Sequence, residues 1–216
     1  MKDIIVTQNT RVIINCLKHL EEAKELYHTA LIEFYGGNEM LETKIIIETD
    51  RLILRRYCKE DLQDLYEYLS DEEVVKHEPY KPMDINEVEG NLDWRISTDE
   101  MIAVVLKSNN KMIGNIYLGK RDFESLEIGY VFNKHYWGKG YAKESCDALI
   151  KKSFSENTHR IFAECDPCNI ASWKLLESLN FIREAHFKEN VYFWKDENDN
   201  PIWKDTYVYS LLNSER

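Results

Sequence analysis

Between residues 126 and 155 the hydrophobic period of the chain changes, and two glycines stand at the change. "LEIGYVFN" alternates like a strand, with Leu126, Ile128, Tyr130 and Phe132 on one face and Glu127, Gly129 and Val131 on the other. "GYAKESCDALIKKSFSE" then places Ala142, Cys146, Leu149, Ile150 and Phe154 at helical spacing. Between the two lies "YWGKGYAKES", in which only Lys139 separates Gly138 from Gly140. A strand that turns through glycines into a helix leaves the first amides, at about residues 138 to 143, without helical partners, and the helix dipole adds positive potential there. The stretch predicts an anion site, with pyrophosphate as its natural guest.

The rest of the chain supplies a sheet to carry that unit. From residue 44 the order reads strand, helices, three strands, helix, strand, helix and closing strands. A strand-like run, "TKIIIETDRLILRRY", precedes "DLQDLYEYLS", a helix with Asp61 as its candidate N-cap. "INEVEGNLDWRIST" reads as a second helix, and "MIAVVLKSNNKMIGNIYLGK" as a hairpin turned at Asn109-Asn110. "HRIFAEC" is a strand, "IASWKLLESL" a helix, and "IREAHFKENVYFWK" and "KDTYVYSLL" the last strands. The order implies an α+β fold, a mixed sheet with helices on both faces.

Upstream, residues 14 to 35 place Leu17, Leu20, Tyr27, Leu31 and Phe34 on one helical stripe, which "GGN" at 36 to 38 stops. The chain therefore divides into an N-terminal helical extension, 1–39, and a domain, 40–216. The extension docks on its own domain or on a second copy, so that the protein is a monomer or a homodimer. Alternatively, Met40 is the natural start.

A net charge of -11 argues against a general nucleic-acid binder and fits a basic or amine-bearing partner. No stretch approaches 18 apolar residues and no basic-then-apolar leader is present, so neither a membrane span nor export is expected and the setting is cytoplasmic. The five cysteines are odd in number and scattered, as reduced thiols would be. Cys165 and Cys168 form a CxxC near His159, but no second ligand pair follows, so no metal is expected.

Two familiar phosphate loops fit poorly. A Walker loop would need glycine at Asn133 and Ser or Thr at Gly140. A dinucleotide fingerprint would need its third glycine at Lys143, although Glu164 stands near the distance of the ribose acid.

"WGKGYA" resembles the acetyl-coenzyme A loop of the GNAT N-acetyltransferase superfamily, [QR]xxGx[GA], with Trp137 in the Gln or Arg position, Gly140 on the glycine and Ala142 on the last small residue. The tryptophan, together with "ETDRLILRRYCKEDL", "LEIGYVFNKHYWGKGYAKES" and "NIASWKLLESLNF", is similar to the RimJ/RimL-type branch, over residues 45 to about 212. Asn180 replaces the branch's helix-ending glycine, and Asn also accepts positive φ. The resemblance implies a GNAT-like fold with a mostly antiparallel central sheet. It implies that the pantetheine arm of acetyl-CoA lies along Gly129, Tyr130 and Val131, where the missing side chain of Gly129 leaves room. An N–H near Gly129 or Tyr130 then faces the developing oxyanion. The pyrophosphate falls to Trp137, Gly138, Lys139, Gly140, Tyr141, Ala142 and Lys143. Asn169 reaches the pantetheine amides and Ser172 the thioester sulfur.

Acetyl transfer to nitrogen needs a neutral amine. An α-amine near 7.7–8.0 costs about 1 kcal/mol to neutralise at pH 7, and a lysine near 10.4 costs nearly 5. A modest base therefore suffices for an α-amine. Glu127, on the face of Gly129, and Glu189, on the strand after the helix, are the two candidates. The tyrosine that many GNAT enzymes use as general acid is replaced by Leu176, which leaves Ser172 near the sulfur. The expectation is an acetyl-CoA-dependent N-acetyltransferase working by direct transfer in a ternary complex, with a protein N-terminal amine as acceptor. Small amines such as aminoglycosides or polyamines are the runner-up, and a silent acyl-CoA binder is the reading from another class.

Overall fold

Strand β3, Met101–Leu106, lies between two cores, and all six of its residues are buried. Ile102, Val104 and Leu106 enter one core, whereas Met101, Ala103 and Val105 enter the other. A continuous apolar run is what a strand covered on both faces requires. The computed structural model describes residues 44–215, and the helix expected at 14–35 lies outside the described residues.

In chain order the other strands are β1 Ile45–Glu48, β2 Leu52–Arg55, β4 Met112–Arg121, β5 Ser125–Phe132, β6 Arg160–Cys165, β7 Ile182–Lys195 and β8 Pro201–Leu212. They form one eight-stranded sheet in the order β1-β2-β3-β4-β5-β6-β8-β7. Every neighbouring pair is antiparallel except β5 with β6. The α+β, mostly antiparallel mixed sheet is thus observed.

The run at residues 43–57 is not one strand. The amide of Thr49 donates to the carbonyl of Leu52 at 2.9 Å, and the chain folds back as the β1–β2 hairpin. Thr-Asp-Arg supplies the turn between its two apolar triplets. The expected turn at Asn109-Asn110 is present, with Asn110 at φ 57° and its amide bonded to Leu106.

Helices α1 Leu62–Leu69, α2 Glu72–Val75 and α3 Ile85–Ser97 cover one face, and α4 Tyr141–Ser155 and α5 Ile170–Ser178 serve the other. Asp61 does not cap α1 with its side chain. Its buried carboxylate accepts two bonds from Arg55, at 2.7 and 2.8 Å, and one from the Cys58 amide at 2.9 Å. The guanidinium outcompetes the helix amides because a buried carboxylate is best satisfied by a cation. Asp84, by contrast, caps α3, with Glu87 completing a capping box. On α4, Cys146, Leu149, Ile150 and Phe154 are buried and Ala142 is partly so, which fixes the helix over the sheet. Each fully buried aliphatic side chain contributes roughly 1.5–3 kcal/mol to that docking. After α5 the chain reverses at Asn180, whose φ of 68° is the left-handed conformation expected of a helix-ending Asn.

Candidate active site

The parallel pairing of β5 with β6 is short. It runs through Ser125, Leu126 and Glu127, opposite Arg160, Ile161 and Phe162, and then stops. From Ile128 to Phe132, β5 remains bonded only to β4, so its other edge is open. A cleft of about 620 Å³ adjoins that edge. Tyr130, Val131 and Phe132 line it from β5, and Asn169 and Ser172 line it from the start of α5. Residues 137–143, except Lys139, form one end, while Glu73, His77 and Glu78 come from α2 and the segment after it.

The glycine loop adopts the conformation that its residues permit. Gly138 has φ 71° and Gly140 φ 81°, a region costing roughly 1–2 kcal/mol for other residues. No side chain caps α4, so the amides of its first turn keep their donors for another acceptor. Trp137 ends the preceding turn, and its indole Nε1 donates to the Phe132 carbonyl at 2.7 Å, which pins the loop to the end of β5. Lys139 is turned aside, with Nζ on the His135 carbonyl at 2.9 Å and over the Tyr136 ring.

A second support comes from the β1–β2 turn. The Arg51 guanidinium donates to Glu144 at 2.7 Å and to the Lys139 carbonyl at 3.0 Å, and it covers the Tyr141 ring at 4.4 Å. Thr49 Oγ1 and the Arg51 amide both donate to the remaining oxygen of Glu144, at 2.6 and 3.1 Å. Burial would raise the Glu144 carboxyl, but these three donors hold it below its usual value. "ETDRL" lies inside the run that reads as a strand; that it turns there and braces the loop from behind depends on a contact 93 residues away.

At the other end, Asn169 caps α5 by accepting from the Ser172 amide at 3.2 Å. Capping and lining the cleft are therefore the same position. Ser172 Oγ lies 3.1 Å from the Tyr130 hydroxyl, which also reaches the Ser172 carbonyl at 3.0 Å. Burial pushes the Tyr130 phenol far above its ordinary value, so it remains a neutral donor. Leu176 is buried in the core and offers nothing to the cleft.

Gly129 does not line the cleft, and a Cβ there would meet Tyr117 only at 3.7 Å, an ordinary contact. Neither carboxylate candidate lines it either. Glu127 sits where β6 still closes the sheet and is engaged by Arg121, at 2.5 and 3.0 Å. Glu189 is exposed in a bulge of β7, at φ 43°. Two strands, β6 and β8, stand between β7 and β5, about 14 Å at ordinary strand spacing. Of the three catalytic candidates the structure brings only Ser172 to the cleft.

Glu78 gave no signal in the sequence, because its position depends on how the segment between α2 and α3 folds back. Burial raises its carboxyl to about 7, opposed by the Arg95 guanidinium. Its neighbour His77 reaches Asp166 at 3.4 Å, and Lys204 from β8 holds the same carboxylate at 2.8 Å. The thiol of Cys165 is pushed up to about 11 by burial, so it is no ready nucleophile. Among the described residues no three or more His, Cys, Asp or Glu side chains are placed to hold a metal ion. Nor is any helix among them long and apolar enough to cross a membrane.

Residues 51–182 match the family model described as acetyltransferase (GNAT) domain. The chain is 34% identical over 175 residues to the uncharacterized N-acetyltransferase YnaD of Bacillus subtilis (strain 168), covering 78% of this chain and 98% of that one. The crystal structure of a GNAT-family acetyltransferase from Bacillus anthracis superposes with a TM-score of 0.71 at 32% identity, over 78% of this chain and 99% of the other. Spermidine N-acetyltransferase from Vibrio cholerae, solved with CoA and spermine, shares the fold at a TM-score of 0.64 and 20% identity, over 77% and 98% of the two chains.

Proposed function

The chain belongs to the GNAT acetyltransferase family and is an N-acetyltransferase; from that premise we propose that acetyl-CoA is its donor and a protein N-terminal amine its acceptor. The observation that carries the reading is the junction of an open β5 edge, a glycine loop at positive φ and the uncapped start of α4 in one cleft. These features fit the parts of the donor in order. The amides of residues 138–143 suit a pyrophosphate, and the free edge of β5 at residues 128–132 suits an extended chain with amides of its own. The amide nitrogen of Asn169 is left for that chain once its oxygen has capped α5.

When bound, acetyl-CoA supplies an acyl group already activated as a thioester. This chain's residues bind, orient and move protons. An amide of the open β5 edge, near Gly129 or Tyr130, faces the acyl oxygen. Ser172, held by Tyr130, stands by the sulfur. A thiol ionises near 8.5, so its departure needs little acid, and the absence of a tyrosine at Leu176 is tolerable. Transfer is direct, in a ternary complex, as the resemblance to the family implies.

The acceptor is read from the RimJ/RimL-type motifs around Trp137 and from the low cost of neutralising an α-amine. We place the reaction in the cytoplasm, with residues 40–216 as the transferase domain and 1–39 as an extension. Polyamines and other small amines are the second reading, favoured by Glu73 and Glu78 in the cleft lining and by the net charge of -11. A CoA-release assay over peptide N-termini and small amines decides. Turnover on peptides well above that on polyamines and aminoglycosides supports the first reading, and the reverse order overturns it.

A further inference from the structure

We propose that Glu78 receives the ammonium group of the acceptor and takes its proton before transfer. This would make the segment between α2 and α3, rather than strand β5 or β7, the acidic wall of the acceptor site. The inference rests on the transferase reading above.

Two glutamates line the cleft, Glu73 and Glu78. Glu73 is already engaged at 3.4 Å by Lys134, and its side chain is 65% exposed. Glu78 is half-buried; its amide donates to the Val75 carbonyl at 2.9 Å, but among the described residues no hydrogen-bond or ion-pair partner is found for its carboxylate. The charged and titratable groups around it do not fill that role. Arg95 from α3 acts from beyond ion-pair distance and is bonded to Tyr57 and Asn91. Tyr80 on the same segment is kept a neutral phenol by burial. His77 is turned to Asp166, and Tyr130 across the cleft is tied to Ser172.

A half-buried carboxylate without a partner is costly, and a cation arriving from the cleft relieves the cost. The face is also the appropriate one. Tyr80 and Val131 both pack against the core under α1–α3, the side of β5 opposite that covered by α4. An amine lying there approaches β5 from the face away from the helix that opens at the glycine loop.

The proton balance is simple. Glu78 as carboxylate takes one proton from the ammonium and leaves a neutral primary amine. As the N–C bond forms and the C–S bond breaks, the amine's second proton accompanies the departing sulfur. One ammonium and one thioester thus give one amide, one thiol and one proton, and Glu78 releases that proton to solvent. A carboxyl near 7 lies within about tenfold of an α-ammonium near 7.7–8.0 in proton affinity, but more than a thousandfold below a lysine near 10.4. The same side chain therefore favours amines of low pKa.

The test compares wild type, Glu78→Gln, Glu78→Asp and Glu73→Gln with a series of primary amines of falling pKa, from pH 6 to 9. Glu78→Gln should lower kcat about 10²-fold with an α-amine and remove the rise in rate through pH 7. Acetyl-CoA affinity by calorimetry should be unchanged, the deficit should shrink as the acceptor's pKa falls, and Glu78→Asp should recover part of the rate. Glu73→Gln, whatever its effect on KM for the amine, should keep the rise in rate through pH 7. A separate reading needs no turnover: in the protein without acetyl-CoA, the carboxyl signal of Glu78 should titrate near 7, and its midpoint should fall when a primary amine is added. Wild-type rates and an intact pH limb in Glu78→Gln, or a midpoint indifferent to amine, overturn the role of Glu78 alone. A wild type that binds acetyl-CoA but acetylates no amine overturns the transferase reading and the inference with it.

Discussion

The hydroxyl of Tyr130 lies within 3.1 Å of the hydroxyl of Ser172 and 3.0 Å of its carbonyl oxygen, which ties the open strand β5 to the first turn of α5. These elements are 42 residues apart and belong to opposite sides of the cleft. The spacing of β5 and α5 across the cleft is therefore held at a set width, because a side chain on one side is anchored on the other.

Removing that anchor should loosen the cleft. Tyr130→Phe should cost about 1 kcal/mol in urea unfolding, the usual net worth of a buried hydrogen bond. Acetyl-CoA affinity should fall with it. In a double-mutant cycle with Ser172→Ala the two losses should be less than additive, and full additivity would show that the pair does not act as one contact.

Gly140→Asp should abolish acetyl-CoA binding. The residue would sit at φ 81° and bring a carboxylate to the uncapped start of α4, where an anion is expected. Thermal unfolding should remain cooperative. Calorimetry showing unchanged affinity would remove the loop from the binding site.

Arg51→Ala separates positioning from stability. An exposed ion pair contributes about 0–1 kcal/mol, so the melting temperature should change little. The Lys139 carbonyl and Glu144 lose their shared donor, so the loop should relax and the acetyl-CoA dissociation constant should rise about tenfold. Arg51→Lys should not restore it, since one ammonium cannot span the contacts of a planar fork. Full rescue by lysine would reduce the role to charge alone.

Glu78 also predicts a pH dependence of folding. Its carboxyl rises from 4.5 to about 7 in the native state, so the folded protein binds the extra proton between those values. Stability from this group is thus lost as pH rises through that window, by at most about 3 kcal/mol. Glu78→Gln should be more stable than wild type at pH 8 and nearly equal to it at pH 4. Parallel unfolding curves at both pH values would contradict the raised carboxyl.

Glu127→Gln and Glu189→Gln should leave kcat within about twofold, because neither side chain lines the cleft. A loss of 10²-fold in either, the scale of a missing base, would return that carboxylate to the mechanism.

The fold was largely legible. Apolar runs and periodicity located β3 to β8 and α4 and α5: β3 is a continuous apolar run buried on both faces, and α4 carries a helical stripe that packs on the sheet. The β1–β2 turn was hidden inside a strand-like run, since Thr-Asp-Arg carries no glycine or proline. The glycine loop was readable because only glycine accepts its backbone angles cheaply, and Asn180 was readable for the same reason. What escaped were relationships set by tertiary approach. Asp61 looked like a cap until Arg55 claimed it, and Arg51 braces a loop far along the chain. Glu78 differs from other surface glutamates only by what folds around it, and neither Glu127 nor Glu189 reveals in sequence that pairing with β6, or two intervening strands, keeps it from the cleft.

The sheet order places β8 between β6 and β7, so both earlier strands wait for a later one. During synthesis, β6 and β7 leave the ribosome with bare hydrogen-bonding edges, and β8 begins 36 residues after β6 ends (201 − 165). Until it arrives, the nascent chain has only the short parallel contact with β5 to hold β6. A chain truncated before residue 201 would therefore present two unpaired strand edges to any neighbouring chain, and it should associate where the full chain does not.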